Sequence, residues 1–252
     1  MLKPYGGSWF EAQRGLRPWY ATGLGSDLHA SIAARIKTLL GHQYGLHCLQ
    51  LGGTQYGADL LSGSALLHRI HVTGDRADSL CAEPSQLPLA TNSVDVVVLC
   101  HVLEFCDDPH ALLREIDRVL KLDGRVLAVG FNPWSLFGLR GLIRRSGPPW
   151  NGHFYSPRRI EDWFALLGLH TQRRETLWLR PPVQHAGVRR RLAPCERMGR
   201  FMPGIGGIYL LLGRKHSVPF TPLPAKRERA EAVPAGSVIR PTNCGASSCR
   251  SR

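Results

Sequence analysis

The chain has 252 residues, 43% of them hydrophobic and 20% charged, with a formal net charge of +13. Its longest apolar runs, VDVVVLC (94–100) and IYLLLG (208–213), are strand-length and exclude an integral membrane segment of helical type. The opening MLKPYGGSWF lacks the apolar core of a secretory signal, and the seven cysteines are scattered without a CxxC pair. An odd, unpatterned set of thiols suits reduced cysteines better than a disulfide framework and predicts a cytoplasmic location, with no metal site expected.

Residues 1–25 are rich in Gly, Trp and Tyr and show no clear period. From Ser26 the pattern turns helical: Leu28, Ile32, Ile36, Leu39 and Leu40 share one face, with Ser26 as N-cap. LHCLQL (46–51) predicts a first strand, which breaks into the glycine-bearing turn of LQLGGTQYG (49–57). LLHRIHV (66–72) predicts a second strand and SLCA (79–82) a brief third. VDVVVLC predicts a fourth, apolar on both faces as a central parallel strand is.

DDPHALLREIDRVLKLDG contains the clearest helix. Asp108 caps it, Pro109 suits the first helical position, and Leu112, Leu113, Ile116, Val119 and Leu120 form the buried stripe. Gly124 is expected to end it as a C-cap glycine. RVLAVG (125–130) follows as a fifth strand, and a short Arg-rich helix is expected between Pro133 and Arg145. SPRRIEDWFALLGL (156–169) predicts a further helix, capped by Ser156 and closed by Gly168. LHTQRRETLWL (169–179) and GIYLLLGRK (207–215) predict a sixth and a seventh strand. From about Pro219 the chain is Pro, Ala, Ser, Gly and charge without apolar period, which predicts a disordered basic tail over 219–252. Strands alternating with helices argue for an α/β, doubly wound sheet.

The positive charge is unevenly placed. Between Arg140 and Arg200 there are thirteen Arg and no Lys, against four acids. Such a face attracts an anionic partner, whether nucleic acid, a membrane surface or an acidic protein. No motif of a known nucleic-acid module accompanies it, and general use of Arg for solvated charge explains it equally well.

The stretch LPLATNSVDVVVLCHVLEFCDDPHALLREIDRVLKLDGRVLAVGFNP (87–133) resembles the class I S-adenosylmethionine-dependent methyltransferases. Within them it is similar to the branch marked by LEH-x-x-DP and RVLKPGG, with LEFCDDP and RVLKLDG in those places. A little-studied bacterial subgroup with CHVLEF-, GFNPWSLFGLR- and YSPRRIEDWF-like stretches is the narrower likeness. The resemblance implies a Rossmann-like seven-stranded sheet whose last strand is inserted antiparallel. It also implies the cofactor S-adenosyl-L-methionine at the carboxyl ends of strands one to four. The expected organisation is an N-terminal strap or lid at 1–25, a methyltransferase-like domain at 26–218 and the tail.

By that resemblance, Gly52 is the first glycine of the cofactor turn, and Gly53 replaces a variable residue. Thr54 stands for the next glycine, and Tyr56 or Gly57 for the third. Gln50 replaces the acid that meets the methionyl amine. A neutral in place of an ionic hydrogen bond weakens the site by about 1 kcal/mol, up to tenfold in affinity. Asp75, 23 positions after Gly52, is the candidate for the ribose hydroxyls. Glu83 takes the place of the acid that meets the adenine amino group. Pro84 stands where a backbone N–H commonly reaches the ring, and proline has none to offer.

Cys100 and His101 are expected under the methionyl portion, with His101 the candidate general base for a protic acceptor. Its other reading is a ring that orders the loop through backbone hydrogen bonds. Glu104 reads as a helix-start carboxylate favoured by the dipole. Asn132 and Pro133 are expected to face the acceptor pocket, and Trp9, Phe10, Trp19 and Tyr20 to form a lid or a core-packed strap. The implied activity is methyl transfer to an unidentified acceptor; a further alternative is an anionic or membrane-bound acceptor positioned by the same Arg. The rival is a non-enzymatic protein on the same fold, with a degenerate cofactor turn, that binds an anionic partner through its Arg-rich face.

Overall fold

Six of the seven residues of VDVVVLC are buried, and the strand they form, β3 (Val94–Cys100), has a parallel neighbour on either side. The computed structural model describes residues 9–41, 45–53, 60–61, 67–72, 80, 82–143, 147, 149–182, 187, 191 and 204–216. Chain contacts divide the molecule after Ser217, and every described residue belongs to the first unit. The tail expected at 219–252 therefore lies outside the described residues.

On one side of β3 runs β1 (His47–Leu51), with β2 (His68–Val72) beyond it at the edge. On the other side runs β4 (Leu120–Phe131). The final strand, β6 (Ile208–Lys215), pairs antiparallel with β4 and with the edge strand β5 (Leu169–Leu177). The order is β2-β1-β3-β4-β6-β5, an α/β Rossmann-like sheet with its last strand inserted antiparallel.

Seven strands were expected and six are present among the described residues. The third, SLCA, contributes one parallel bridge, Val72 to Leu80. Glu83 and Pro84 begin a turn soon after, and a proline cannot donate to a ladder.

Side chains alternate between the two faces of the sheet. Val96, Val98 and Cys100 pack with α1 (Trp9–Tyr20), α2 (Gly23–Leu40) and Phe137 of α4 (Leu136–Ile143). Val97 and Leu99 pack with α3 (Pro109–Val119) and α5 (Pro157–Leu166). The buried stripe of α3 is Leu112, Leu113, Ile116 and Val119, and each such side chain contributes roughly 1.5–3 kcal/mol by leaving water. Asp108 and Ser156 cap α3 and α5, each followed by proline, as their sequences predict.

Two predicted helix ends move. The second helix begins at Gly23, with Thr22 rather than Ser26 as N-cap, because the Thr22 side chain accepts the Gly25 N–H. Helix α3 does not end on Gly124: the backbone turns extended at Leu120, and Asp123, at φ 65°, takes the left-handed position. Residues 9–20, read as aperiodic, form a helix whose buried face is Trp9, Ala12, Gln13, Leu16 and Tyr20. Among the described residues no helix is long and apolar enough to cross a membrane.

Candidate active site

The carboxyl ends of β1 and β3 lie side by side, and the chain leaves both through left-handed backbone. Gly52 and Gly53 have φ 70° and 76° after β1, and His101 has φ 51° after β3. Glycine serves at the first two because a Cβ has no room. On Gly52 it would stand 2.4 Å from the Cys100 carbonyl oxygen and 3.0 Å from Gln13 Oε1. On Gly53 it would meet Leu60 and the Cys100 sulfur at 2.8–2.9 Å. The turn is built for close approach to β3 and α1. His101 accepts left-handed strain because its surroundings fix it, a feature that clusters at functional sites.

His101 is fully buried and engaged on every side. Its N–H continues the ladder to Val129 O, and its carbonyl accepts Gln13 Nε2–H at 2.7 Å. Its Nδ1 lies 3.2 Å from Glu104 Oε1 and its Nε2 lies 2.6 Å from the Tyr20 hydroxyl. The ring stacks on Phe131 with centroids 4.2 Å apart. Glu104 Oε1 already accepts the Phe131 N–H at 2.8 Å, so it acts as acceptor and Nδ1 carries the proton. Nε2 is then left to accept the Tyr20 O–H. The result is a phenol–imidazole–carboxylate chain sealed from solvent.

Helix positions explain why Tyr20 and Gln13 reach His101. Both lie on the buried face of α1, one at its middle and one at its end. The end is pinned where Gly25 of α2 passes under it: a Cβ there would stand 2.3 Å from Trp19 O and 2.5 Å from Tyr20 Cα. His29, one turn further along α2, lies edge-on to Tyr20. Burial, above all, pushes the His29 imidazole below its ordinary range, against a backbone hydrogen bond to Gly53 that raises it.

Four buried polar atoms of this region have no hydrogen-bond partner: His29 Nε2, Gln50 Oε1, Glu104 Oε2 and the Tyr209 hydroxyl. Gln50 is wholly buried and donates Nε2–H to Gly52 O at 3.0 Å, leaving its acceptor oxygen unused. Tyr209 and Glu104 converge at Gly130, where a Cβ would stand 2.3 Å from the Tyr209 oxygen and 2.8 Å from Glu104 Oε1. Burial and then the Glu104 charge push the Tyr209 phenol well above its usual range. A buried acceptor left without a partner is where a donor on a bound molecule would be most favoured.

Gln50, Gly52, Gly53, Cys100 and His101 lie at the adjoining ends of β1 and β3. Cys100 is buried, and burial followed by the Glu104 charge pushes its thiol far up, so it lines the site without reacting. Glu83 is exposed and Pro84 buried in the turn before β3, away from the His101 cluster in hydrogen bonding. Asp75, Thr54, Tyr56 and Gly57 lie outside the described residues.

Three expectations are corrected. His101 has both ring nitrogens engaged and none open to an acceptor. Glu104 is no helix-start carboxylate: α3 begins five residues later, and Glu104 is buried under His101. Asn132 does not face an acceptor pocket. It is buried, donates to Gly204 O and Gly206 O, and accepts the Trp134 N–H.

The sequence reading missed Gln13, His29 and Tyr209, and named Tyr20 only as part of a lid or strap. Gln13 was findable, since Trp9, Ala12, Gln13, Leu16 and Tyr20 recur at i, i+3, i+4, i+7 and i+11.

The Arg-rich segment is partly used internally. Arg173 and Arg174 pair with Glu175 and Glu161, while Arg140, Arg159 and Arg180 lie over aromatic rings. Arg144, Arg145, Arg189, Arg190, Arg197 and Arg200 lie outside the described residues.

Residues 40–128 match the methyltransferase domain family. The chain is 33% identical over 189 residues to the uncharacterised protein YafS of Escherichia coli strain K12, covering 74% of this chain and 75% of that one. A chain of the complex between the Haloferax volcanii Trm112 methyltransferase activator and a methyltransferase superposes with a TM-score of 0.58 at 18% identity. It covers 82% of this chain and 98% of that chain. A malonyl-[acyl-carrier protein] O-methyltransferase of Alcanivorax borkumensis is 48% identical over 48 residues, only 19% of this chain and 16% of that one.

Proposed function

Because the chain belongs to the class I S-adenosylmethionine-dependent methyltransferase family, we propose that it binds S-adenosyl-L-methionine where β1 and β3 end and transfers a methyl group to an acceptor. The observation that carries this reading is Gln50 Oε1, a buried acceptor without a partner beside the Gly52–Gly53 turn. An acceptor so placed fits the methionyl ammonium, which is a donor only. Gly52, Gly53 and the Cys100–His101 backbone would line the same end, with Glu83, Pro84 and Asp75 assigned to the adenosine end. When bound, the cofactor supplies a methyl group on a sulfonium, electrophilic without further activation.

The protein's own part is placement and proton handling. Gln13 and Tyr20 fasten α1 to His101, making α1 a strap over the turn. A proton leaving an acceptor reaches His101 through the Tyr20 hydroxyl, since the ring itself has no open nitrogen. Glu104 holds the Nδ1 proton in place and thereby keeps Nε2 an acceptor. The short match to malonyl-[acyl-carrier protein] O-methyltransferase is too small a share of the chain to assign its acceptor here.

Gln13 Oε1 beside Gly52 and the missing donor of Pro84 favour a second reading, a methyltransferase-fold scaffold that binds an anionic partner instead. Calorimetric titration with S-adenosylmethionine and with its demethylated product decides between them. Micromolar binding of both supports the enzyme. No binding at millimolar ligand by folded, cofactor-free protein rejects it.

A further inference from the structure

Helix α4 has one side in the core and another that nothing among the described residues covers. Phe137 is fully buried, whereas Leu136, Leu139 and Ile143 are 43%, 55% and 78% exposed. At 100° per residue the latter three fall within about 60° of one another, a single stripe. Trp134, 78% exposed, precedes the helix. Ile205, 41% exposed, lies between the two glycines whose carbonyls Asn132 holds. Leu122 and Leu166 are exposed singly, as on any surface, and Leu46 and Leu67 form only a pair where β1 and β2 begin.

The segment of sequence that contains α4 carries charge of one sign. Between Asp123 and Glu161 the sequence has six arginines and no acidic residue. Arg140 lies on α4 beside the stripe, its guanidinium over Trp150 and bonded to Pro182 O. Arg180, two residues before Pro182, stacks on Trp178 at 4.7 Å.

We propose that this corner, Trp134 with α4 and the Ile205 turn, docks on the surface of a bilayer rich in anionic lipid. Leucine and isoleucine on one stripe, a tryptophan just before the helix and arginine alongside is the pattern of a helix lying in a membrane interface. Nucleic acid would engage the arginines and leave the aliphatic stripe in water. A second copy would bring a chain of +13 against another of +13. One eight-residue helix also offers less than the roughly 800 Å² per partner of a stable protein interface.

The docked corner adjoins the candidate site. Phe137 stacks near Phe131, which stacks on His101. Membrane attachment would thus set the site beside acceptors that reside in the bilayer. The attachment itself does not depend on the methyl-transfer reading.

The test is sedimentation of the full chain with phosphatidylglycerol–phosphatidylcholine vesicles and with phosphatidylcholine alone, alongside analytical ultracentrifugation without lipid. The variant Trp134→Ser/Leu139→Ser/Ile143→Ser alters only exposed side chains, and circular dichroism checks its fold. Expected are binding to the anionic vesicles only, weakening with salt, and at least a tenfold loss in the triple variant. The proposal is overturned by no binding, by equal binding to both vesicles, or by binding that the triple variant retains. Self-association abolished by the variant, without vesicle binding, would make the stripe an interface between copies and would also overturn it.

Discussion

Tyr20, on the N-terminal helix, and His101, after the central strand, stand 2.6 Å apart between the hydroxyl and Nε2. They are 81 residues apart in sequence, and the contact joins a strap to the strained end of a sheet strand. The Tyr20→Phe variant keeps the ring and removes the partner of a buried nitrogen. It should lower stability by about 1–3 kcal/mol in urea denaturation. Combined with Glu104→Gln, the two effects should fail to add, with a coupling of about 0.5–3 kcal/mol through the shared imidazole. Simple additivity would show that the three groups do not act as one chain.

Gln50 offers a sharper test of the cofactor site than the glycines do. Gln50→Glu puts a carboxylate where a buried acceptor has no partner. The free protein should lose stability, because an unpaired buried charge is costly. S-adenosylmethionine should then bind up to about tenfold more tightly and raise the melting temperature more than in the parent. Unchanged affinity would remove Gln50 from the site. Gly52→Ala, by contrast, should cost roughly 2–4 kcal/mol of stability, since the added Cβ combines left-handed strain with overlap of the Cys100 carbonyl. Its loss of ligand binding would report folding as much as contact.

Two pH windows follow from burial and pairing. The folded-state pKa of His29 is depressed by burial, so the unfolded chain binds more protons and stability falls as pH drops below about 6.5. In His29→Gln that slope should flatten. Asp95 accepts the Leu46 and His47 N–H groups and both oxygens meet Lys121 Nζ at 2.9 Å. Burial alone would raise its pKa, but the Lys121 and backbone hydrogen bonds prevail and hold it low. Its stabilisation is present above about pH 4 and is lost as pH falls through the lower folded value. Denaturation series at pH 7, 5.5, 4 and 3, for the parent and for Asp95→Asn, measure both windows.

Cys106 is half-buried and its thiol is pushed up to about 11, mainly by burial, from an ordinary 9.0. Site-resolved iodoacetamide labelling at pH 8 should therefore be about 100-fold slower at Cys106 in the folded chain than after denaturation. Equal rates would mean that its loop opens freely.

What the sequence discloses here depends on how local the cause is. The caps Asp108 and Ser156, the stripe of α3 and the two-faced burial of VDVVVLC were legible because each is set within a few residues. The glycine turn was legible through its motif, and Gly52 and Gly53 do adopt left-handed backbone. Glu104 was misread because nothing in CHVLEF says that its carboxylate meets the Phe131 N–H from a neighbouring strand. Asn132 was misread for the same reason, its partners lying 72 and 74 residues away. The helix at Trp9–Tyr20 was missed because Gln13, a polar residue on its buried face, interrupts the apolar period. That residue faces inward to hold His101, so the broken pattern was itself the functional signal.

The place of β6 between β4 and β5 governs how the protein emerges from the ribosome. Among the described residues β5 pairs only with β6, and the outer edge of β4 has no other partner. Until Lys215 has been synthesised, a nascent chain carries two unpaired strand edges at once, β4 and β5, waiting for a strand more than thirty residues downstream of Leu177. Such edges recruit foreign strands, and closing them requires a long-range pairing that is slow to form. A message truncated before codon 208 should thus yield aggregates rather than a smaller folded domain, because β4 and β5 would keep their edges open.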